Sequence, residues 1–330
     1  MKWLKRIGLV LAIFLIVYFA GPTPAKPHYY TNWPNVPTIT ELDQWIAQKE
    51  GQHHLRKDNE ARIVWADSMH RVTPYALVYL HGFSASQEEG DPVHRDLARR
   101  FGCNLYLSRL SEHGIDTSEQ LLRLSADSYW ESAKEALAIG TKLGDKVVLI
   151  GTSTGGTQAL QLAAAFPNKV AALILYSPNI AINDPNAWIL NNPWGLQIAR
   201  LVKGSDYNDP EDERPIYRQY WNKPYRLEAA TALEEMLETT MLPETFEKIH
   251  QPVLMLYYYK DEANQDKVVK VSAMKEMFAQ LGTVPALKRE KAMPLTGNHV
   301  IASPIKSKDV EGVERETVAF LKEVLQWKEK

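Results

Sequence analysis

From Ala61 onward, short runs of β-branched, aliphatic and aromatic residues alternate with longer stretches whose apolar residues recur at helical spacing. The short runs predict strands at 62–66, 75–80, 104–108, 146–150, 170–176, 253–259 and 285–290. The longer stretches predict helices near 93–101, 118–143, 156–166, 268–281 and 309–327. Such alternation implies an α/β protein, a mostly parallel sheet with helices on both faces. The rhythm breaks once, between Tyr176 and Val253, where about 75 residues carry Trp188, Trp194, Trp221, several prolines and the acidic stretch 206–214. That is too long for a structureless loop in a compact domain, so it reads as an inserted, partly helical cap, most helix-like at 227–241. The expected organisation is a segment at 1–25, a lead-in at 26–60 with a helix near 39–48, a core of 61–178 and 250–330, and a cap at 179–249.

The amino terminus has its own pattern. Lys2, Lys5 and Arg6 precede an unbroken apolar run at 7–20, followed by Gly21-Pro22-Thr23-Pro24-Ala25. A basic flank and an apolar run mark a membrane-targeting segment, either a secretory signal or an uncleaved anchor with a cytoplasmic amino terminus. Only Thr23-Pro24-Ala25 offers small residues at the positions a signal peptidase reads, and counting to Ala25 gives 19 uncharged residues, enough for an uncleaved anchor with a Pro-rich exit, which is the favoured reading. On either reading the body lies outside the cytoplasm, exported or held by one helix.

Composition narrows the classes that remain. With 38 Lys+Arg against 40 Asp+Glu the net charge is −2, without the basic excess that tracks a phosphate backbone, so nucleic acid is excluded as a partner. Without residues 1–25, 35 basic residues face 40 acidic ones, a net of −5, which excludes a polybasic lipid-binding surface. A lone Cys103 allows neither an intrachain disulfide nor a thiolate zinc cage and reads as a buried core thiol. No HExxH or paired-histidine spacing points to a metal.

The sharpest chemical signal is Gly151-Thr152-Ser153-Thr154-Gly155, between an apolar strand and a helix of small residues. A serine on so tight a turn projects its hydroxyl clear of the sheet, and the flanking glycines let strand and helix approach without a Cβ clash. The Walker lysine and the G-x-G-x-x-G spacing of phosphate-gripping turns are both missing. A serine nucleophile needs a base, and the base a carboxylate that holds its tautomer. His299, in Gly297-Asn298-His299-Val300, is the candidate base. Asp261, two residues past the predicted 253–259 strand, is the candidate acid; Glu262 and Asp266 stand close by, and Asp184 is a further candidate. His81-Gly82-Phe83-Ser84 ends the strand at 75–80, and a turn there aims the next backbone N–H at the nucleophile. The N–H groups of Phe83 and Thr154 are therefore the expected oxyanion donors. His28, His53, His54, His70, His94 and His250 read as ordinary surface or interface residues.

On these motifs, over about residues 61–328, the chain resembles the α/β-hydrolase superfamily, within it the carboxylesterase and monoacylglycerol-lipase type. Arg109-Leu110-Ser111-Glu112-His113-Gly114 resembles a loop that in those esterases usually reads Gly-His-Gly; Glu112 replaces its first glycine, and His113 stays outside the candidate site. The resemblance implies a sheet of about eight strands under a cap, no metal, no organic cofactor, and hydrolysis of carboxylic esters through an acylated serine. The same triad serves thioesterases, lactonases and peptidases, and a hydrolase fold also serves non-catalytic binding proteins. A serine at the turn argues against the dehalogenase and epoxide-hydrolase branches, which use aspartate. The tryptophans of the cap suit an apolar acyl chain or small lipid ester, or serve only to hold cap to core.

Overall fold

The computed structural model describes residues 2–209 and 212–330, so two residues of the acidic stretch at 206–214 and the first residue of the 1–25 segment lie outside the described residues. After a helix α1 (Lys2–Phe19) and a lead-in bearing α2 (Leu42–Glu50), the chain forms β1 (Arg62–Val64), β2 (Thr73–Leu80), α3 (Val93–Phe101), β3 (Asn104–Leu107), α4 (Ala126–Leu143), β4 (Gly144–Thr152), α5 (Thr154–Ala165) and β5 (Ala172–Tyr176). Then come α6 (Gly195–Lys203), β6 (Tyr207–Asn208), α7 (Pro215–Tyr220), β7 (Tyr225–Arg226), α8 (Leu227–Thr240) and α9 (Pro243–Phe246). The chain closes with β8 (Val253–Tyr257), α10 (Val271–Gln280), β9 (Lys288–Ala292) and α11 (Val310–Glu323).

The main sheet has seven strands in the order β1-β3-β2-β4-β5-β8-β9, parallel throughout except for β1. Among the described residues the seven strands predicted from residue patterns are therefore present, in a mostly parallel sheet with helices on both faces as the resemblance implies.

Burial explains why the strands were easy to read. Strands β5 and β8 are buried along their whole length, as a parallel sheet covered on both faces requires. Along β2, Ala76, Val78 and Leu80 enter a core shared with α4, α5 and α8, while Leu77 and Tyr79 enter the opposite core with residues of α3 and α11. Cys103 is buried in the second core, where loss of solvation pushes its thiol up to about 12. The edge strand β9 is half-exposed and charged; Arg289 pairs with Glu323 and Lys291 with Glu316, which blunts the edge against further pairing.

Helix α4 begins at Ala126 rather than near 118, because Ser125 and Ser128 close a reciprocal capping box. The lead-in straps across this helix: Trp130 Nε1 and the buried Lys134 Nζ both donate to the Tyr30 carbonyl. The 179–249 stretch holds short helices and the two-stranded ribbon β6–β7. Of its tryptophans, Trp221 is buried, Trp188 is exposed, and Trp194 donates to the carbonyls of Val17 and Pro22.

Helix α1 is apolar and exposed on every side from Trp3 onward. Among the described residues no helix is long and apolar enough to cross a membrane. The uninterrupted apolar run spans about 21 Å at 1.5 Å per residue, short of a hydrocarbon core of about 30 Å. The expectation of a spanning anchor thus finds no support in the length of this helix.

Candidate active site

Strand β2 is flanked by β3 on one side and β4 on the other, so the chain reverses its direction of winding between β2 and β4. A crevice opens at the carboxyl ends of strands where such a reversal occurs. Phe83 follows β2 and Ser153 follows β4, which brings these two predicted site residues to the same crevice.

Ser153 is the hinge between β4 and α5, with φ 52° and ψ −119°, a strained backbone held by a 2.9 Å bond from its N–H to the Tyr176 carbonyl. The glycines around it are needed for lack of space. A Cβ on Gly155 would stand 1.9 Å from the Leu80 carbonyl oxygen, and one on Gly151 would stand 2.5 Å from the Gly155 carbonyl oxygen. The sequence Gly-x-Ser-x-Gly here lets α5 rise directly against the ends of β2 and β4.

The backbone N–H of Thr154, the opening residue of α5, and that of Phe83 make no hydrogen bond among the described residues. Both residues line the crevice with Ser153. The loop that carries Phe83 is held by two buried histidines. His81 donates from Nδ1 to the Gly82 carbonyl and accepts the Leu110 N–H at Nε2, while His113 donates to the Ser111 carbonyl and accepts the Ser84 N–H at 2.9 Å. The loop around Glu112 thus has a structural task, and His113 supports the turn without facing the crevice. Burial pushes His81 down to about 4, and His113 also falls well below the ordinary value, so both rings stay neutral acceptors.

His299 presents its imidazole to the crevice and donates from Nδ1 to Asp266 Oδ2 at 2.6 Å, which leaves Nε2 as the free lone pair. Asp266 is itself fixed: its Oδ1 accepts the N–H groups of Val268 and Val269. Burial alone would lower the imidazole's affinity for a proton; the Asp266 carboxylate and the bond it accepts, with a smaller contribution from Glu89, more than offset this and raise the pKa. Among the described residues the Ser153 hydroxyl makes no hydrogen bond with the ring.

Here the structure corrects the sequence reading. Asp261 is exposed, and its carboxylate accepts from the N–H groups of Ala263 and Asn264 and from Asn264 Nδ2. It caps a tight turn, which holds its carboxyl below the usual range, and it does not reach His299. Strand β8 ends at Tyr257, the chain makes an excursion closed by a bridge between Tyr259 and Gln265, and Asp266 returns to the strand end with its N–H on the Tyr258 carbonyl. The pattern Asp261-x-x-Asn264 is the signal that could have shown this carboxylate to be occupied locally. Asp184 is exposed and accepts the Asn186 N–H, and Glu262 is exposed and accepts the Tyr259 hydroxyl. His94, read as a surface residue, is fully buried and donates from Nε2 to the Gln87 carbonyl; its spacing with Leu97, Ala98 and Phe101 on one face of α3 carried that information.

The crevice encloses about 310 Å³. Its walls are aromatic and aliphatic, Phe83, Tyr217, Trp221, Tyr225 and Leu233, with Lys223 and Lys306 also lining it. Tyr217 and Trp221 stack at 4.8 Å, and Lys306 is paired with Asp212. Among the described residues no group of three or more His, Cys, Asp or Glu side chains could hold a metal ion.

Residues 75–227 match the family described as alpha/beta hydrolase fold. The chain is 25% identical to a pimeloyl-[acyl-carrier protein] methyl ester esterase of Citrobacter koseri, over 58% of this chain and 78% of that protein. A structure of the metagenome-derived lipolytic enzymes LipS and LipT aligns with a TM-score of 0.64 at 16% identity, covering 81% of this chain and 99% of that one. The monoacylglycerol lipase of Paleococcus ferrophilus aligns at 0.57 and 15% identity, covering 79% and 97%. With its sheet order, its strand–Ser153–helix turn and these likenesses, the chain has the α/β-hydrolase fold.

Proposed function

We propose that this protein is a serine hydrolase that cleaves carboxylic esters through an acyl-enzyme on Ser153. The observation that carries the reading is the pairing of a cavity-facing His299 with a buried Asp266 in the same crevice as a serine held at positive φ. The ester-cleaving and lipolytic descriptions of the relatives support an ester as the substrate class.

In this mechanism Ser153 Oγ attacks the ester carbonyl carbon while His299 Nε2 takes its proton. The negative charge on the carbonyl oxygen is received by the N–H groups of Phe83 and Thr154, each donor typically worth on the order of 10²-fold in rate. Nε2 then protonates the alkoxy oxygen, the C–O bond breaks and the alcohol leaves. Water attacks the acyl-enzyme with His299 again as base, and the acid departs with Ser153 restored. Asp266 holds the proton on Nδ1 throughout and stabilises the imidazolium. The aromatic and aliphatic walls favour an ester with an apolar acyl or alkyl group of modest size.

Residues 1–25 belong to the same proposal as a targeting segment that takes the hydrolase body out of the cytoplasm, supported by the basic flank and the exposed apolar helix. Fusing them to a reporter active only outside the cytoplasm tests this; a silent reporter refutes it.

The enzymatic reading is tested by fluorophosphonate labelling of the wild type and Ser153→Ala, with hydrolysis rates on p-nitrophenyl esters from acetate to laurate. Labelling and hydrolysis lost in the variant support it. A folded wild type that neither labels nor hydrolyses any ester overturns it.

A further inference from the structure

Beside the triad lies a second buried carboxyl group that the reaction as written does not use. Glu89 is 2% exposed, sits on the short helical turn after the Phe83 loop, and lines the same crevice as Ser153 and His299. Its Oε2 accepts the Gly82 N–H at 2.6 Å; Oε1 makes no hydrogen bond among the described residues. The placement relative to the nucleophile is tight. A Cβ built on Gly82 would stand 2.9 Å from both Glu89 oxygens and 3.0 Å from Ser153 Cβ, so the carboxyl and the serine face each other across one glycine.

We propose that Glu89 is a positioning residue of this active site: it holds the Gly82–Phe83 turn so that the Phe83 N–H points at the oxyanion, and its carboxylate faces His299 to favour the imidazolium formed as Ser153 attacks. The inference rests on the serine-hydrolase reading and adds a residue to it.

Three observations agree with it. Gly82 is the peptide immediately before the donor, so an acceptor fixed on its N–H sets the direction of the next one. A small acceptor close to Ser153 is tolerated only because residue 82 has no side chain, which ties Gly82 to Glu89 as well as to the turn. The carboxyl and the imidazole also act on each other: burial pushes Glu89 up to about 7, the Gly82 N–H and His299 pull it back, and Glu89 in turn adds to the rise at His299. The other titratable groups facing Glu89 are the hydroxyls of Tyr79 on β2 and Tyr129 on α4, both held protonated by burial. Asp266 stands on the far side of His299, and Lys223 and Lys306 line the same cavity. Tyr129 Oη is buried without a hydrogen-bond partner among the described residues, so nothing on that side competes with Gly82 for the carboxyl.

The experiment compares wild type, Glu89→Gln and Glu89→Ala in the full chain, with p-nitrophenyl butyrate hydrolysis measured from pH 5 to 9 and folding checked by thermal melting. Glu89→Ala, which loses the acceptor, is expected to lower kcat by about tenfold or more, the scale of a misdirected oxyanion donor, with KM changed less than about twofold. Glu89→Gln keeps an acceptor for Gly82 and is expected to recover most of that kcat, while the acid limb of kcat/KM moves to lower pH because the negative charge beside His299 is gone. A part that only fills space would leave the limb in place. If Glu89→Ala does not fold, the shift in Glu89→Gln decides alone. A Glu89→Gln profile that superimposes on that of the wild type overturns the inference. Fluorophosphonate labelling of the same samples keeps the two readings apart: labelled protein with unmoved profiles defeats the role of Glu89 alone, and an unlabelled wild type defeats both.

Discussion

His299 Nδ1 donates to Asp266 Oδ2 at 2.6 Å, whereas Asp261, five residues earlier, spends its carboxylate on the turn it caps. On the proposed mechanism the two aspartates separate a catalytic role from a local one. Asp266→Asn, which can present its amide N–H to Nδ1 and so favours the wrong tautomer, is expected to lower kcat by about 10³–10⁴-fold. Asp261→Asn changes only an exposed turn and is expected to stay within about twofold. Rates on p-nitrophenyl butyrate check both, and equal effects at the two positions would return Asp261 to the site.

The rise in the His299 pKa fixes the sign of the pH dependence. Attack by Ser153 requires the neutral ring, so kcat/KM falls as pH drops through the folded pKa of His299. Because the Asp266 carboxylate, the hydrogen bond it accepts and the nearby Glu89 together outweigh burial, the acid limb is expected above the ordinary histidine value of about 6.5. In the Asp266→Asn variant the limb should move down while the residual rate remains measurable. Proton release followed by pH-stat titration from pH 5 to 9 reads both profiles, and a wild-type limb at or below 6.5 contradicts the assignment.

Patterns that repeat along the chain were legible, and contacts made only in three dimensions were not. The seven strands and the helix at Val93–Phe101 could be read because burial on both faces of a parallel sheet demands unbroken apolar runs, and helix burial demands a periodic stripe. Ser153 and His299 could be located from their sequence motifs and are found in one crevice. The acid was misplaced because Tyr258 and Tyr259 extend the apolar run past the true end of the strand, hiding the excursion that returns Asp266 to the sheet edge. Glu89 carried no signal at all: Gln87-Glu88-Glu89 looks like a solvated turn, and only the packing of Tyr79, Gly82 and Ser153 around it makes its carboxyl internal. His113 was set aside for the glycine missing before it, although its hydrogen bond to the Ser84 N–H depends on the ring and not on that glycine.

The turn at Ser153 makes a prediction about stability. A Cβ on Gly155 meets the Leu80 carbonyl oxygen at 1.9 Å, and neither β2 nor α5 can retreat without opening the crevice. Gly204, by contrast, has φ 64° and nothing within 4 Å, so alanine there meets only the backbone penalty of about 1–2 kcal/mol. Gly155→Ala is expected to lose more than about 3 kcal/mol, or to fail to accumulate as folded protein, through overpacking against backbone. Urea unfolding of the two variants beside the wild type checks the order, and a Gly155→Ala protein as stable as Gly204→Ala would mean that the elbow can relax.

Acid should destabilise this fold through histidines that are buried neutral. Burial holds His81 down to about 4 and His94 down to about 3, against about 6.5 in an unfolded chain. Between those values the unfolded state binds more protons than the folded one, so stability is fully present above about 6.5 and falls as pH drops below it. At 1.36 kcal/mol per pH unit, going from 6.5 to 4.5 costs about 2–3 kcal/mol for each ring, while His299 and the carboxyls of Glu88, Glu89 and Glu234, all with raised pKa, work in the opposite direction. Unfolding free energy measured in urea at pH 7, 6, 5 and 4.5 reads the sum of these contributions, and comparison with a variant isolates one ring. His94→Asn should remove one ring's share of the acid loss relative to the wild type, even though it lowers stability at pH 7. A His94→Asn protein with the same pH slope as the wild type would show that His94 takes up its proton in the folded state, and the buried-neutral assignment would fail.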